Sequence, residues 1–185
     1  PTRSKLGAGL SRARNTQYEL LPDEGDTCLY LGAGHGTSIS HLHDHVCGAN
    51  NEKGGRIIAV DLSPRCLRDL VHLSTLRPGL VPVLGDARKH AAWGIMVSKK
   101  VDWLLQDVSQ AGQADIFIKA VKRFLKPGGK GLLSLKAASE RFSEGGEREV
   151  FNQVRTQLED AGLNIEEQID LHGLEDNHCL YYVTN

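Results

Sequence analysis

The chain has 185 residues, of which 40% are hydrophobic and 24% charged, with a formal net charge of −1. That balance excludes both a disordered acidic tail and a strongly basic nucleic-acid arm. The length predicts one domain, spanning residues 1–185.

The predicted elements run as follows. Thr27–Leu31 (TCLYL) is a short apolar run that reads as a buried strand. A glycine-rich turn over Gly32–Gly36 and a helix over Thr37–Val46 follow it. A polar loop, Asn50–Gly55, leads to a second strand at Arg56–Val60, which closes on Asp61. Ser63 can cap a helix with Pro64 at its first position, where proline is favoured. The apolar pattern carries that helix to about Leu76, with Leu67, Leu70, Val71 and Ser74 on one face. Leu80–Leu84 is a third strand, and Pro82 places it at or near a sheet edge. Val101–Leu105 is a fourth strand, ahead of Asp107.

Ala114–Leu125 reads as a helix with Ile118, Val121, Phe124 and Leu125 as its apolar stripe, stopped by Lys126-Pro127-Gly128-Gly129. Gly131–Leu135 is a fifth strand, and Gly145-Gly146 precede a helix from about Glu147 to Ala161. Leu163–Leu171 and His178–Val183 are strands with no helix between them, which predicts antiparallel pairing. Strands that alternate with helices predict an α/β fold, a mostly parallel sheet with helices on both faces. No internal repeat or interdomain linker interrupts the pattern. No run approaches the roughly 18 apolar residues of a membrane span, and the opening PTRSKLGAGLSRARN has no apolar signal-peptide core. Cys28, Cys47, Cys66 and Cys179 lie far apart with no Cys-x-x-Cys pair. That argues against a disulfide framework and for a reducing cytosolic or nuclear compartment.

In such sheets ligands bind beyond the carboxyl ends of the strands, and three signals fall there. Gly32-Ala33-Gly34-His35-Gly36-Thr37 follows the first strand, where small residues admit a ligand close to the backbone and a helix N-terminus offers free N–H groups. Asp61 follows the second strand, where a carboxylate can accept hydrogen bonds from both hydroxyls of a ribose. Gly85-Asp86-Ala87 follows the third and suits an adenine edge. Each alone has a structural explanation, a tight turn or a helix cap; the three in register point to a nucleotide cofactor. The glycine spacing allows a dinucleotide, but Thr37 occupies the third glycine position and 185 residues leave little room for a second mononucleotide half. S-adenosylmethionine is the better fit.

YLGAGHGTSISHL, IIAVDLSPRCLRDL, VPVLGDAR, VDWLLQDVSQ, FLKPGGKGLLSLKA and EDNHCLYYV, together with RSKLGAGL near the start, resemble the fibrillarin family over essentially all of residues 3–183. The resemblance implies a Rossmann-like S-adenosylmethionine-dependent methyltransferase with a seven-stranded, mostly parallel sheet and an antiparallel C-terminal strand. It implies ribose 2′-O-methylation of ribosomal, or transfer, RNA. Its implied partners are a box C/D guide RNA with its target RNA, a Nop-domain scaffold and a kink-turn-binding protein, with no membrane. The location implied is cytoplasmic in a prokaryote and nucleolar in a eukaryote. The family's catalytic constellation falls on Lys5, Asp107, Lys136 and His178. Its cofactor positions fall on Gly32, Ala33, Gly34, Thr37, Asp61, Leu62, Asp86, Ala87, Asp107 and Gln110, with no metal. Three departures stand out: Asp61 replaces the more usual Glu, NNEKGG lengthens the loop before the second strand on the side away from the ligand, and the family's N-terminal extension is missing ahead of RSKL. With the chain starting so close to it, Lys5 is expected to lie in a fraying end.

Within that resemblance each residue has a chemical part. A ribose 2′-hydroxyl is a poor nucleophile until its proton is removed or polarised, and Lys136 at the end of the fifth strand suits the general base. Asp107 is placed to orient Lys136 and to offset the positive charge of a sulfonium, while Lys5 and His178 suit the ribose or its phosphate. Taken singly, a strand-end lysine is ordinarily a solvated residue and a strand-end aspartate a helix cap. The alternatives are a stand-alone methyltransferase acting on another RNA or a protein side chain, and a non-catalytic scaffold; the four residues above argue against the scaffold.

Two other features read as structural. His41, His43, His45 and Cys47 form a dense cluster, but no third ligand converges on either face, so a solvated or partly packed helix is expected there. Arg3, Arg12, Arg14, Arg65, Arg68, Arg88, Lys89, Lys99 and Lys100 offer a dispersed basic surface. Trp93 and Trp103 read as packing residues rather than base-stacking platforms.

Overall fold

The computed structural model describes residues 4–140 and 146–185; Arg3 and Gly145, singled out above, lie outside them. Seven strands form one sheet: β1 (Thr27–Leu31), β2 (Arg56–Asp61), β3 (Leu80–Leu84), β4 (Val101–Gln106), β5 (Leu125–Lys136), β6 (Asn164–Asp170) and β7 (His178–Thr184), in the order β3-β2-β1-β4-β5-β7-β6. Pairing is parallel from β3 to β5 and antiparallel on both sides of β7. The helices are α1 (Lys5–Arg12), α2 (Thr37–Val46), α3 (Pro64–Leu76), α4 (His90–Trp93), α5 (Gln113–Phe124) and α6 (Gly146–Asp160).

The near-continuous apolar runs of β1, β2 and β4 follow from burial on both faces of the sheet. In β1, Leu29 and Leu31 join one core with Phe117, Val121 and Trp93, while Cys28 and Tyr30 join the other with Leu42, Leu70 and Trp103. Pro82 in β3 does lie on an edge strand. Ser63 caps α3, its Oγ accepting from Cys66 N–H at 3.4 Å, with Pro64 next. Among the described residues no helix is long and apolar enough to cross a membrane.

Four readings of the sequence need correction. The Lys126–Gly129 breaker does not separate helix from strand. Leu125 already pairs with Val101, and the next pair is Lys130 with Trp103, so the four residues are extruded opposite Asp102 as a bulge inside β5. Lys126 Nζ holds Asp102 there at 2.5 Å. On α3 only Leu70 is buried and Leu73 packs beside it, whereas Val71 is exposed, because the helix meets the sheet along one narrow line. The short α4 was not anticipated; Trp93 stacks on Phe124 with centroids 5.3 Å apart and anchors it.

The fourth concerns the chain's start. No helix was expected there, yet Lys5 opens α1, capped by Ser4 and with Leu6, Ala8 and Gly9 buried. The segment after α1 is fastened to β6 by Glu167, whose carboxylate accepts from the N–H groups of Arg14, Asn15 and Thr16 and from Thr16 Oγ. Burial works to raise the Glu167 pKa, yet these bonds outweigh it and hold the carboxyl below its usual range.

Candidate active site

The carboxyl ends of β1, β2, β3 and β4 open on a cleft of about 690 Å³, within the range of roughly 300–1,000 Å³ for small-molecule sites. Of the residues singled out from the sequence, Lys5, Gly32, Ala33, Gly34, Thr37, Asp61, Leu62, Ala87, Asp107 and Gln110 line it. Gly32 has φ 83°, and a Cβ there would lie 2.1 Å from the Asp107 carbonyl oxygen, so only glycine lets β1 and β4 approach this closely before the turn. Gly36, with φ 91°, then starts α2.

Asp61 fixes the turn that follows β1: its Oδ2 accepts from Gly34 N–H and its Oδ1 from Ser63 N–H, each at 2.8 Å. A carboxylate has about four lone-pair directions, so two such bonds leave capacity for ligand hydroxyls. The shorter Asp arm thus meets the cleft with its own backbone support. The lengthened loop before β2 lies at the opposite end of that strand from Asp61.

Asp86 stands apart from the other cofactor candidates: Gly85 and Ala87 line the cleft and Asp86 does not. Its carboxylate accepts from the Arg88 backbone N–H at 2.9 Å, the Arg88 guanidinium at 2.8 Å and Gln110 Nε2 at 3.1 Å. The Arg88 side chain, followed by the backbone and Gln110 bonds, outweighs desolvation and holds the Asp86 carboxyl far below its ordinary value. Trp93 Nε1 donates to the Asp86 carbonyl at 2.8 Å. Asp86 therefore clamps the turn and holds Gln110 on the cleft wall.

Three of the four catalytic candidates, Asp107, Lys136 and His178, stand at the ends of the neighbouring strands β4, β5 and β7, and the fourth, Lys5, is the first residue of α1. Lys5 Nζ lies 3.3 Å from Asp107 Oδ2 within the cleft. This corrects the expectation that Asp107 orients Lys136: its ion pair is with Lys5, which α1 carries across the sheet end. Lys136 and His178 close β5 and open β7 as direct cross-strand partners, so their side chains share one face of the sheet. Neither lines the cleft itself. His178 Nδ1–H donates to the Asp176 carbonyl at 2.8 Å, which leaves Nε2 as the free ring nitrogen.

Residues missed from the sequence include Ser4, Tyr30 and Ser38 on the cleft wall. Ser38 Oγ donates to Ser4 Oγ at 3.0 Å and ties α1 to α2 beside Lys5. Gln113 was also missed. Fully buried, its side chain accepts from the Lys136 N–H and donates to the Lys136 carbonyl, both at 3.0 Å, and Gln106 Nε2 donates to the Gln113 backbone carbonyl at 2.8 Å. A buried glutamine at the start of α5 carries no periodic signal. The polar spacing of Gln106, Gln110 and Gln113 was its only trace. The histidine cluster packs more tightly than expected. His43 is fully buried and its Nε2–H donates to the Pro78 carbonyl, while His45 Nε2–H donates to that of Pro22, both at 2.8 Å. Among the described residues no group of three or more His, Cys, Asp or Glu could hold a metal ion.

Strand order, the reversed β7 and a strand-end cleft with an acidic residue after β2 define a Rossmann-like methyltransferase fold. The fibrillarin family model matches residues 1–185, and the chain belongs to the fibrillarin family. A Thermococcus gammatolerans protein named fibrillarin-like rRNA/tRNA 2′-O-methyltransferase is 39% identical over 183 residues, 99% of this chain and 76% of its own. The structure of Aeropyrum pernix fibrillarin with natively bound S-adenosyl-L-methionine superposes with a TM-score of 0.82 at 34% identity, covering 99% of this chain and 75% of that one. A fibrillarin/Nop5p complex contains a chain matching with a TM-score of 0.84 at 30% identity, covering 100% of this chain and 82% of that one.

Proposed function

We propose that the chain is an S-adenosylmethionine-dependent 2′-O-methyltransferase of ribosomal or transfer RNA, directed by a box C/D guide RNA. The observation that carries this reading is the Lys5–Asp107 ion pair inside the cleft, one strand from the cross-strand pair Lys136–His178. A lysine, a carboxylate and a histidine at adjoining strand ends, with a second lysine brought to the carboxylate by α1, suit deprotonation and alignment of a hydroxyl beside a cationic donor.

The cleft residues fit that cofactor. When bound, S-adenosylmethionine supplies a methyl group already activated on a sulfonium. Asp61 would accept bonds from the ribose hydroxyls with its remaining lone pairs. Gly32, Ala33, Gly34 and Thr37 admit the ligand close to the backbone and to the N-terminus of α2. Leu62 and Ala87 offer apolar contact, and Gln110 is held ready by Asp86. Asp107, on the cleft wall, would offset the positive charge of a bound sulfonium, and it is paired with Lys5. Lys136 would take the 2′-hydroxyl proton as general base, while Lys5 and His178 Nε2 would hold the ribose or its phosphate.

A net charge of −1 and 5% aromatic residues suit an enzyme to which RNA is delivered. In this reading a Nop-domain scaffold, a guide RNA and a kink-turn-binding protein make that delivery. The Nop5p complex of a relative supports the scaffold. The place of work follows the assembly, cytoplasm in a prokaryote and nucleolus in a eukaryote.

The test is transfer of labelled methyl from S-adenosylmethionine to a target RNA, with guide-matched and mismatched sites, with and without the assembled ribonucleoprotein. Methylation only at the matched site and only with the assembly is expected. Efficient site-selective methylation by the chain alone overturns the guided reading.

A further inference from the structure

Beside the cleft, three side chains from two elements form an arrangement that methyl transfer does not use. His35 Nδ1 lies 2.7 Å from Asp69 Oδ2, and Cys66 Sγ lies 3.7 Å from His35 Nε2. A carboxylate can only accept, so Nδ1 donates to Asp69, and in the neutral ring Nε2 is the acceptor that faces the Cys66 thiol. The order is that of an activated nucleophile: thiol, base, and a carboxylate that orients the base. Cys66 also occupies the first turn of α3. Arg68, one of the dispersed cations, is paired with Asp69 at 3.3 Å.

The other cysteines make a sharp contrast. Cys28, Cys47 and Cys179 are fully buried, and only Cys66 is partly exposed. Burial pushes the Cys47 thiol up to about 11 and Cys179 up to about 12, and raises Cys28 well above its ordinary value. Thiols so placed are inert. The His35 ring is 58% exposed and lines both the cofactor cleft and a second cavity of about 330 Å³ with Asp69 and His72. The base is thus open to small molecules, and Cys66 beside it is partly exposed.

We propose that Cys66 is a reactive thiol and a site of covalent modification by small-molecule disulfides, with His35 as its base and Asp69 as a positioning residue. His35 Nε2 takes the thiol proton, and the Cys66 sulfur attacks one sulfur of the disulfide RS–SR. The S–S bond breaks, a Cys66–S–S–R bond forms, and the leaving RS⁻ takes the proton from His35 as RSH. Cys66 is oxidised and the departing sulfur reduced, so the exchange needs no other reactant.

The test requires neither cofactor nor RNA and stands apart from the methyl-transfer reading. The native chain is mixed with dithiodipyridine, thiopyridone release is followed, and the labelled cysteine is located by peptide mapping. A single fast equivalent at Cys66 is expected, at least about tenfold faster than the thiol of glutathione at the same pH, with the three buried cysteines protected. His35→Gln should slow it about tenfold or more, Asp69→Asn should slow it and Asp69→Glu restore it, and Cys66→Ser should remove it. Protection of the buried cysteines reports that each variant is folded. Reaction of wild-type Cys66 no faster than glutathione overturns the proposal, whatever the variants do. So does undiminished reaction in a folded His35→Gln protein.

Discussion

Gln113 grips both backbone groups of Lys136: its side-chain oxygen accepts from the N–H and its amide nitrogen donates to the carbonyl. The last residue of β5 is thereby held by the first residue of α5, and the direction in which Lys136 leaves the sheet is set. Gln113→Leu should cost about 1–3 kcal/mol through the unpaired groups. It should lower single-turnover methyl transfer while leaving cofactor affinity unchanged. Denaturant titration and calorimetry separate the two effects; unchanged transfer in a folded variant removes Gln113 from the support of Lys136.

Removing the amine itself tests the base. Lys136→Ala should keep the fold and cofactor affinity and reduce transfer at least about 100-fold, the lower range for loss of a general base. Recovery of rate at high pH fits replacement by hydroxide. Wild-type single-turnover rates at saturating RNA contradict the role.

Asp61→Ala should weaken S-adenosylmethionine binding by about 1.5–3 kcal/mol, the range for charge-assisted hydrogen bonds. The Gly34 and Ser63 N–H groups lose their acceptor as well. Calorimetry with the demethylated product measures it, and equal affinities would take Asp61 out of the site.

Lys5 and Asp107 are both partly exposed, 31% and 19%. Lys5→Met should therefore change stability by no more than about 1 kcal/mol while strongly lowering transfer at saturating cofactor. A large fall in thermal midpoint with full activity would give Lys5 a structural role only.

Asp86 contributes to the acid sensitivity of the whole fold. The folded-state pKa of Asp86 lies far below the roughly 3.9 of an unfolded chain. Its stabilisation is complete above that unfolded value and is lost as pH falls toward the folded one, because the unfolded state then binds the extra proton. Asp86→Asn should lower the urea midpoint at neutral pH and flatten its decline down to about pH 3. Parallel declines in the two proteins would show that another group governs acid sensitivity.

The sequence made the strand-turn-helix units legible because their signals are local. The TCLYL and RIIAV runs, the glycine turn, the Ser63-Pro64 cap and Pro82 each act within a few residues. What stayed hidden depends on distant partners. Lys126–Gly129 is a terminator by composition, and only pairing of Leu125 with Val101 makes it a bulge. The α1 segment has a mean character too polar to announce itself, and Glu167, more than 150 residues later, fastens its far end. In the site, residue types at strand ends were readable, but the assignment of charges was not. Whether Asp107 meets Lys5 or Lys136, and whether Asp86 faces ligand or Arg88, is decided by side-chain packing.

The place of β7 also bears on how the molecule is made. It follows every other strand in the chain, yet it lies between β5 and β6 rather than at an edge. A nascent chain emerging from the ribosome can assemble β1 to β5 in order, but β6 then has no neighbour, and the edge of β5 stays open to unwanted strand pairing. Both faults are cured by one late event, insertion of β7, which also delivers His178 opposite Lys136. Until β7 is in place, the edge of β5 is open and Lys136 has no partner across it.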